Sequence, residues 1–363
     1  MHREKGFSLI EVMIATAVML IIMGTTLSML TDAMHANEAV VAMADMQDNL
    51  RASMNLMVRD LVQAGGGIPI GGISVPYTDP LNNPLGAPVP AAMNRPSPPT
   101  KAYTFPLASA ITSVNPGFTL GPNSLGQLTD MITVIYADNE LPWTTAMAPI
   151  NNPAGPKCNG VIAANGSTIT FDTVTAGCAI LAAGNVSVVP GDLIMLSNNQ
   201  GGNIVQLVSA VAGSKLTFNP GDAFGFNGNP AASGTIAQMQ TAPGVFPPTS
   251  ATRIWMVTYY IDATTVPGRP QLIRQVNFNA PQVVGQVIEG MQISYDVVNA
   301  VATAPPNNAR NIIAPDSPNQ IRKINLYLMA RSENPYSVTK QYFRANLLTQ
   351  VGMRGLSFQN RYN

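Results

Sequence analysis

The residues best suited to chemistry lie in the first eleven positions of the chain. Gly6 is followed by Phe7, and Glu11 stands at the start of an apolar run, residues 12–31, that carries no charge. A helix of twenty residues rises about 30 Å, which matches the hydrocarbon core of a bilayer. An ordinary secretory signal is cut after its apolar run, whereas the one plausible site here precedes it. The apolar segment is therefore predicted to remain in the mature protein.

Glu11 needs a partner if it lies at the edge of lipid. A carboxylate in that position costs a few kcal/mol on insertion scales, so acidic residues there are usually paired and functional. One alternative is that Glu11 only snorkels at the interface of a plain membrane anchor. That alternative leaves the preceding Gly6–Phe7 pair unexplained, so we favour a functional carboxylate.

The sequence GFSLIEVMIA, from Gly6 to Ala15, resembles the class III signal of type IV pilins and type II secretion pseudopilins. The resemblance implies that a prepilin peptidase cuts between Gly6 and Phe7 on the cytoplasmic face and methylates the new amine of Phe7. It also implies a role for Glu11, which becomes the fifth residue of the mature chain. Its carboxylate would pair with the Phe7 ammonium of a neighbouring subunit as the helix moves from lipid into the filament core.

Several segments of the C-terminal third resemble PilW-type minor pilins. They are a strand ending in a Tyr-Tyr pair (Trp255–Tyr260), the sequence QLIRQ (Gln271–Gln275), a strand that begins with a Glu-Gly pair (Ile288–Val297), the sequence IRKINLYLMARS (Ile321–Ser332) and a tail that contains Asn360–Arg361.

Composition predicts a β-rich, loop-rich domain beyond the N-terminal segment. Charged residues make up 10% of the 363 residues, and glycine and proline contribute 30 each, unlike the helix-rich and charge-rich balance of a cytosolic enzyme. The formal net charge is zero. Nothing in the overall charge therefore favours nucleic acid or an anionic membrane as a partner.

A single long helix is predicted over residues 7–64. This stretch has no proline, and Gly24 is its only glycine. Its second half is amphipathic, with apolar residues spaced by three and four and charged residues between them, so this stripe should pack on a globular head. The stripe consists of Met43, Met46, Leu50, Met54, Met57 and Leu61.

The rest of the chain predicts an antiparallel sheet. Strand patterns cover 130–137, 167–172, 192–197, 203–211, 215–219, 253–262, 271–277, 287–298, 321–331 and 337–348. The fold class is α+β and type IV pilin-like, with the long helix packed on a β-sheet head that carries a β-rich insert. The predicted organisation is a leader (1–6), the helix (7–64, membrane or filament-core segment 12–31), a Pro/Gly-rich connecting loop (65–125) and the head (126–363, insert about 140–250).

Cysteine and histidine are scarce. Cys158 and Cys178 are predicted to form a disulfide if the head is periplasmic, which would stabilise it by roughly 3 kcal/mol in the chain-entropy model; two buried free thiols are the alternative. Without a nearby histidine the pair cannot complete a zinc site. His2 would leave with the leader and His35 lies on the helix, so no His-based triad can form in the head. We therefore expect no catalytic site, no metal and no cofactor.

Two segments offer oxygen atoms that a calcium ion could use. They are residues 138–140 and the Asn219–Asn229 loop, and neither matches EF-hand spacing. Asn and Asp also favour turns for backbone reasons alone, and we favour this interpretation.

Basic residues dominate the C-terminal segment. They could contact a partner pilin or DNA phosphates, or they could simply keep the strands soluble and protected. We favour protection, and after it a partner subunit. From residue 321 onward there are seven basic residues and one acidic residue, Glu333. The basic residues are Arg322, Lys323, Arg331, Lys340, Arg344, Arg354 and Arg361.

The resemblance implies a minor pilin, a non-enzymatic assembly subunit in the priming or tip complex of a type IV pilus. The implied partners are prepilin peptidase, other minor and major pilins, the inner-membrane assembly machinery and, before assembly, the lipid bilayer; no nucleic acid is expected. The implied location is the inner membrane with a periplasmic head, and later the pilus at the cell surface. The alternatives are a minor pseudopilin of a type II secretion system and, in another class, a membrane-anchored periplasmic binding module or tip adhesin.

Overall fold

The computed structural model describes most of the helix and of the head. The described residues are 8–69, 71–75, 77–79, 83–84, 110–137, 160–171, 188–200, 202–222, 225–228, 236–277, 279–298, 307–312, 316–353 and 355. They contain one α-helix, α1 (Leu9–Gln63), and two short 3₁₀ helices, Ile236–Met239 and Pro318–Gln320.

The strands of the described residues run from position 73 to position 352. In chain order they are β1 (Ile73–Ser74), β2 (Tyr77–Asp79), β3 (Asn83–Pro84), β4 (Ala110–Ile111), β5 (Val114–Gly117), β6 (Asn123–Ser124), β7 (Gln127–Leu128), β8 (Met131–Ala137), β9 (Gly160–Ile162), β10 (Thr168–Phe171), β11 (Leu193–Asn198), β12 (Gly202–Leu207), β13 (Ala210–Ala212), β14 (Lys215–Thr217), β15 (Ser250–Asp262), β16 (Gln271–Val276), β17 (Gln282–Gln286), β18 (Ile288–Val297), β19 (Asn307–Ala309), β20 (Ile321–Arg331) and β21 (Arg344–Gly352).

Helix α1 has two halves with opposite surroundings. Residues 8–34 are all exposed, whereas the second half buries an apolar stripe against the head. This is the amphipathic half predicted from the spacing of apolar residues. The buried apolar members are Met46, Leu50, Met54, Met57 and Leu61, whereas Met43, the first residue of the predicted stripe, is 41% exposed.

The glycines after α1 connect the end of the helix to β8 through backbone hydrogen bonds. Gly65 and Gly67 have positive φ angles of 81° and 70°, which glycine adopts without strain. A Cβ on Gly67 would lie 2.6 Å from the Cβ of Ala137, so no side chain fits there. The Gly65 amide donates to the Ile135 carbonyl (2.9 Å), and the Ala137 amide donates to the Gly66 carbonyl (2.7 Å). The turn therefore extends the hydrogen bonding of β8.

A nine-stranded main sheet is built around β15. On one side the first half of β15 pairs with β11 and its second half with β16, while on the other side β8 pairs along residues 254–259. The order is β17-β16-β15-β11-β12-β1-β4, with β8 on β15 and β5 on β8. The pair β1–β12 is parallel; the other recorded pairs of the main sheet are antiparallel.

The C-terminal sheet, defined as β19-β18-β20-β21, is fully antiparallel and closes the main core. One apolar cluster joins the stripe of α1 to residues of the main sheet such as Val257 and Tyr259, and to inward residues of the C-terminal sheet such as Leu326 and Leu328. The predicted α+β fold, a long N-terminal helix packed on an antiparallel head, is confirmed.

The insert region divides between two sheets. Strands β11 and β12 join the main sheet, whereas β9, β10, β13 and β14 form a separate sheet of order β13-β14-β10-β9, the insert sheet. A separate apolar cluster lies there, with Ile169, Leu216 and Phe218 packed against Ile194 and Ile204 of the main sheet.

The structure differs from the strand prediction at several places. The single strand predicted over 203–211 is wrong, because this stretch forms β12 in the main sheet and β13 in the insert sheet, and β9, β17 and β19 have no counterpart among the predicted strands. The stretch predicted as irregular between 65 and 125 contains β1 to β6 among its described residues, several of them only two residues long. The last strand begins at Arg344 rather than at Ser337, because residues 337–339 form a turn and Lys340 has a φ of 56°. A predicted strand start at 337 is therefore wrong.

Candidate functional site

Glu11 lies in the first turn of α1. Its carboxylate accepts a hydrogen bond from the backbone amide of Ser8 (3.0 Å), which satisfies one of the unpaired amides at the start of the helix. The position is also favourable because the N-terminal end of a helix attracts negative charge. Gly6 and Phe7, the predicted processing residues, lie outside the described residues.

The exposed half of α1 is apolar enough to cross a membrane by length and composition. Its best window has a mean hydropathy of 2.1, and none of that window is buried in the head. Its four threonine hydroxyls donate to carbonyls three or four residues earlier, so they need no partner from lipid. These residues are Thr16, Thr25, Thr26 and Thr31.

Comparison with known families bears on this N-terminal segment. Residues 1–27 match the family model described as the prokaryotic N-terminal methylation motif. The chain begins like a prepilin. The match supports a type IV pilin or pseudopilin that prepilin peptidase processes, and together with the apolar helix it is consistent with membrane anchoring. No curated protein and no solved structure matches the chain.

The first contact between α1 and the head is a cluster around Ser337. Its hydroxyl donates to the Glu38 carboxylate (2.5 Å) and lies 3.0 Å from Nδ1 of His35. The Ser337 amide also donates to Glu38 (3.3 Å). These hydrogen bonds lower the pKa of the exposed Glu38 carboxyl, the bond from the Ser337 hydroxyl contributing most. His35 is thus a contact residue between helix and head.

A second contact covers the free edge of the main sheet at β17. The Asn49 side-chain amide donates to the Gln286 carbonyl, and the Gln286 backbone amide donates back to Asn49 (3.3 Å). One turn later the Ser53 hydroxyl donates to the Val284 carbonyl (3.1 Å). Side chains of α1 therefore take the place of a further strand. A cleft of about 760 Å³ lies between this contact and the Ser337 cluster.

A third contact is a buried charge network around Asp60. Arg274 donates to its carboxylate through Nε (2.6 Å), and Tyr259 donates its hydroxyl (2.6 Å), while Tyr136 makes a longer bond (3.4 Å). Asp60 is only 1% exposed. Burial, then the Asp60 charge, raises the pKa of Tyr136 to about 12, and the same causes raise the pKa of Tyr259.

Asp60 is a residue that the sequence prediction placed incorrectly. It is one of the charged residues that lie between the apolar positions of the stripe, where the spacing predicts an exposed side chain, yet it faces the core. A signal was present, because Met57, Asp60 and Ala64 follow each other at spacings of three and four. Its partner Arg274 lies more than two hundred residues away and carries no local signal.

The predicted cysteine pair and the first calcium candidate cannot be placed. Cys158, Cys178 and residues 138–140 lie outside the described residues. In the other candidate loop, the Asp222 carboxylate accepts from the backbone amides of Phe226 (3.1 Å) and Asn227 (2.7 Å), as expected for a turn. Within the described part of the chain, no three acidic, histidine or cysteine side chains are grouped to hold a metal.

Several of the C-terminal basic residues have partners inside the head. Arg331 lies 3.4 Å from the buried Glu289 carboxylate, and Arg344 donates to it (2.8 Å). Arg322 donates to the backbone carbonyls of Asn319 and Ile321. These three arginines therefore bind carboxylate or carbonyl oxygens of the head itself. Arg354 and Arg361 lie outside the described residues.

Proposed function

We propose that this protein is a PilW-type minor pilin, a non-enzymatic structural subunit of the priming or tip complex of a type IV pilus. The observation that carries the proposal is a prepilin-type motif on a helix whose first half is apolar and unburied. The second half of the same helix is fixed to a β-rich head. Such a molecule can leave the membrane by exchanging lipid contacts for helix contacts.

Before assembly, the apolar half of α1 spans the inner membrane with the head on the periplasmic side. Prepilin peptidase cuts between Gly6 and Phe7 and methylates the new amine. The head then contacts other minor and major pilins under the control of the assembly machinery. In the oxidising periplasm, Cys158 and Cys178 form a disulfide.

Glu11 provides the specific step of assembly. In the isolated chain one of its oxygens accepts from the Ser8 amide, which is a neutral donor. The ammonium of Phe7 from a neighbouring subunit is a stronger partner, because charge-assisted hydrogen bonds are roughly twice as strong as neutral ones. Pairing also removes an uncompensated charge from an apolar bundle.

Processing is tested by mass spectrometry of the intact protein purified from its membrane. We expect a chain that starts at an N-methylated Phe7. A chain that still starts at Met1, or one cut beyond Thr31, would contradict the proposal.

The role of Glu11 is tested by Glu11→Ala, with Asp32→Ala as the control at the next acid of the helix. We expect Glu11→Ala to be cleaved normally but to enter filaments at least about tenfold less often, the loss expected for one hydrogen bond to a charged group. Immunoblots of sheared filaments against membranes measure the ratio. Equal incorporation of both variants would remove the ion pair from the mechanism.

The motif is equally compatible with a pseudopilin of a type II secretion system. Deletion of the gene separates the two functions. Loss of surface pili is expected for the minor pilin, whereas retention of secreted enzymes inside the cell would identify the pseudopilin.

A further inference from the structure

The outer face of the C-terminal sheet carries a shallow depression that is separate from the contacts between α1 and the head. Its volume is about 220 Å³, below the roughly 300–1,000 Å³ of common ligand sites, so it accommodates a single ring-sized group. Amide, hydroxyl and guanidinium groups line it together with one aromatic ring and one leucine. The main lining residues are Gln292, Ser294, Arg310, Asn325, Tyr327 and Leu348.

Strand register places these side chains in two adjacent rows. Tyr327 of β20 pairs with Gln292 of β18 and with Leu348 of β21, which gives one row across three strands. Residues two positions along each strand face the same side and form the next row. That second row consists of Ser294, Asn325 and Gln350.

The amide side chains beside the depression are held in place before any ligand arrives. Asn308 and Asn325 both donate to one oxygen of Asp296 (2.8 and 3.0 Å). Gln350 donates to the other oxygen of Asp296 (3.3 Å) and to Asn325 (2.9 Å). Because these groups are already ordered, binding would cost little side-chain entropy.

Three groups in the depression retain hydrogen-bonding capacity. Tyr327 accepts from Asn346 (3.1 Å), which leaves its hydroxyl proton to donate. Ser294 likewise accepts from Asn308 (3.3 Å) and keeps its proton. Asn325 uses one of two amide protons. Donors and acceptors therefore lie next to the exposed apolar surface of Leu348, which is 70% exposed.

The charge in the depression is compensated within the protein. Arg310 lies 3.3 Å from the carboxylate of Asp130, which is 2% exposed, and it also donates to Gln292. Its guanidinium lies 5.1 Å from the centre of the Phe118 ring. An anionic ligand would therefore gain little, whereas a neutral ligand with many hydroxyl groups matches the lining.

We propose that this face binds a neutral saccharide. Sugar hydroxyls would exchange hydrogen bonds with Ser294, Asn325 and Tyr327, and the C–H face of the ring would pack on Leu348. A protein segment fits less well, because a standard protein interface uses about 20–30 residues on each side. The depression is large enough to contact about one sugar ring.

Binding is tested by titrating the full chain in lipid nanodiscs with glucose, galactose and N-acetylglucosamine, followed by NMR. Nanodiscs are required because glycoside detergents present the same chemistry. We expect saturable binding of at least one sugar at millimolar concentration. Tyr327→Phe and Leu348→Ala should each weaken it at least about threefold, the effect of one lost hydrogen bond or contact.

Gln282→Ala is the matched control, an exposed amide on β17 outside the depression. It should leave the sugar affinity unchanged, and all three variants should keep the melting temperature because the changed atoms are largely at the surface. Absence of saturable binding for all three sugars would overturn the proposal. So would binding that Tyr327→Phe and Leu348→Ala leave unchanged.

Discussion

At the scale of single residues, Asp60 shows how strongly one side chain can depend on its partners. It is a carboxylate on a helix, 1% exposed, and its oxygens are held by Arg274 and Tyr259. Removing the Asp60 carboxylate would leave the Arg274 guanidinium as an uncompensated charge. The Arg274 side chain is only 15% exposed, so water would solvate this charge poorly.

Asp60→Ala should therefore lower the free energy of unfolding by about 3–5 kcal/mol. Denaturant titration of the detergent-solubilised protein measures this change. Asp48→Ala, an exposed acid on the same helix, is the control and should change it by less than about 0.5 kcal/mol. Equal effects of the two variants would contradict a buried network.

The tyrosines around Asp60 predict a loss of stability in alkali. The pKa of Tyr136 is raised to about 12, against about 10 in the unfolded chain. Its contribution to stability is thus complete below pH 10 and is lost as the pH rises to 12. The loss should be about 1.4 kcal/mol per pH unit for each such tyrosine. Tyr136→Phe should flatten this part of the stability curve; an unchanged slope would exclude Tyr136 as its source.

At the scale of elements, α1 protects a strand edge that would otherwise be open. Asn49 bonds both backbone groups of Gln286, and Ser53 bonds Val284. Exposed edges of sheets are templates for pairing with other chains. The helix therefore contributes to solubility as well as to the core.

Asn49→Ala should lower the free energy of unfolding by about 1 kcal/mol. It should also accelerate hydrogen exchange at the Gln286 amide, which can be followed by mass spectrometry. Asn55→Ala removes an exposed asparagine from the same helix and should change neither quantity. If exchange at Gln286 is the same in both variants, the edge is protected by other means.

The elements differ in how far local sequence predicts them. Strand β20 is predicted to the residue, 321–331, because its alternating pattern is long and one face is buried. Strand β5, Val114–Gly117, contains a proline and has no alternation, since all four residues are buried. It forms because β8 pairs with it, and a long-range partner leaves no local pattern.

The candidate functional residues divide in the same way. The sequence singles out Glu11 because it is the one acid beside a long apolar run, and its role in assembly stays a prediction. The contact of Ser337 with Glu38 was not, because about three hundred residues separate them. Short polar side chains such as Ser337 occur in any turn, so only the folded chain reveals this role.

At the scale of the whole molecule, the exposed half of α1 should be dispensable for folding of the head. Residues 8–34 bury nothing, so a chain beginning at Met34 should keep the melting temperature of the full protein. A chain beginning at Ser53 loses Met46 and Leu50 and should melt at least about 5 °C lower. Calorimetry of the two truncated proteins measures the difference. Identical melting temperatures would mean that the stripe does not stabilise the head.

The central position of β15 has a consequence for synthesis. Strand β8 is complete at Ala137, but its partner β15 ends at Asp262, about 125 residues later. Ribosomes add about 5–20 residues per second, so one edge of β8 stays without its partner strand for on the order of ten seconds. The pace of translation thus sets how long the nascent chain needs a chaperone.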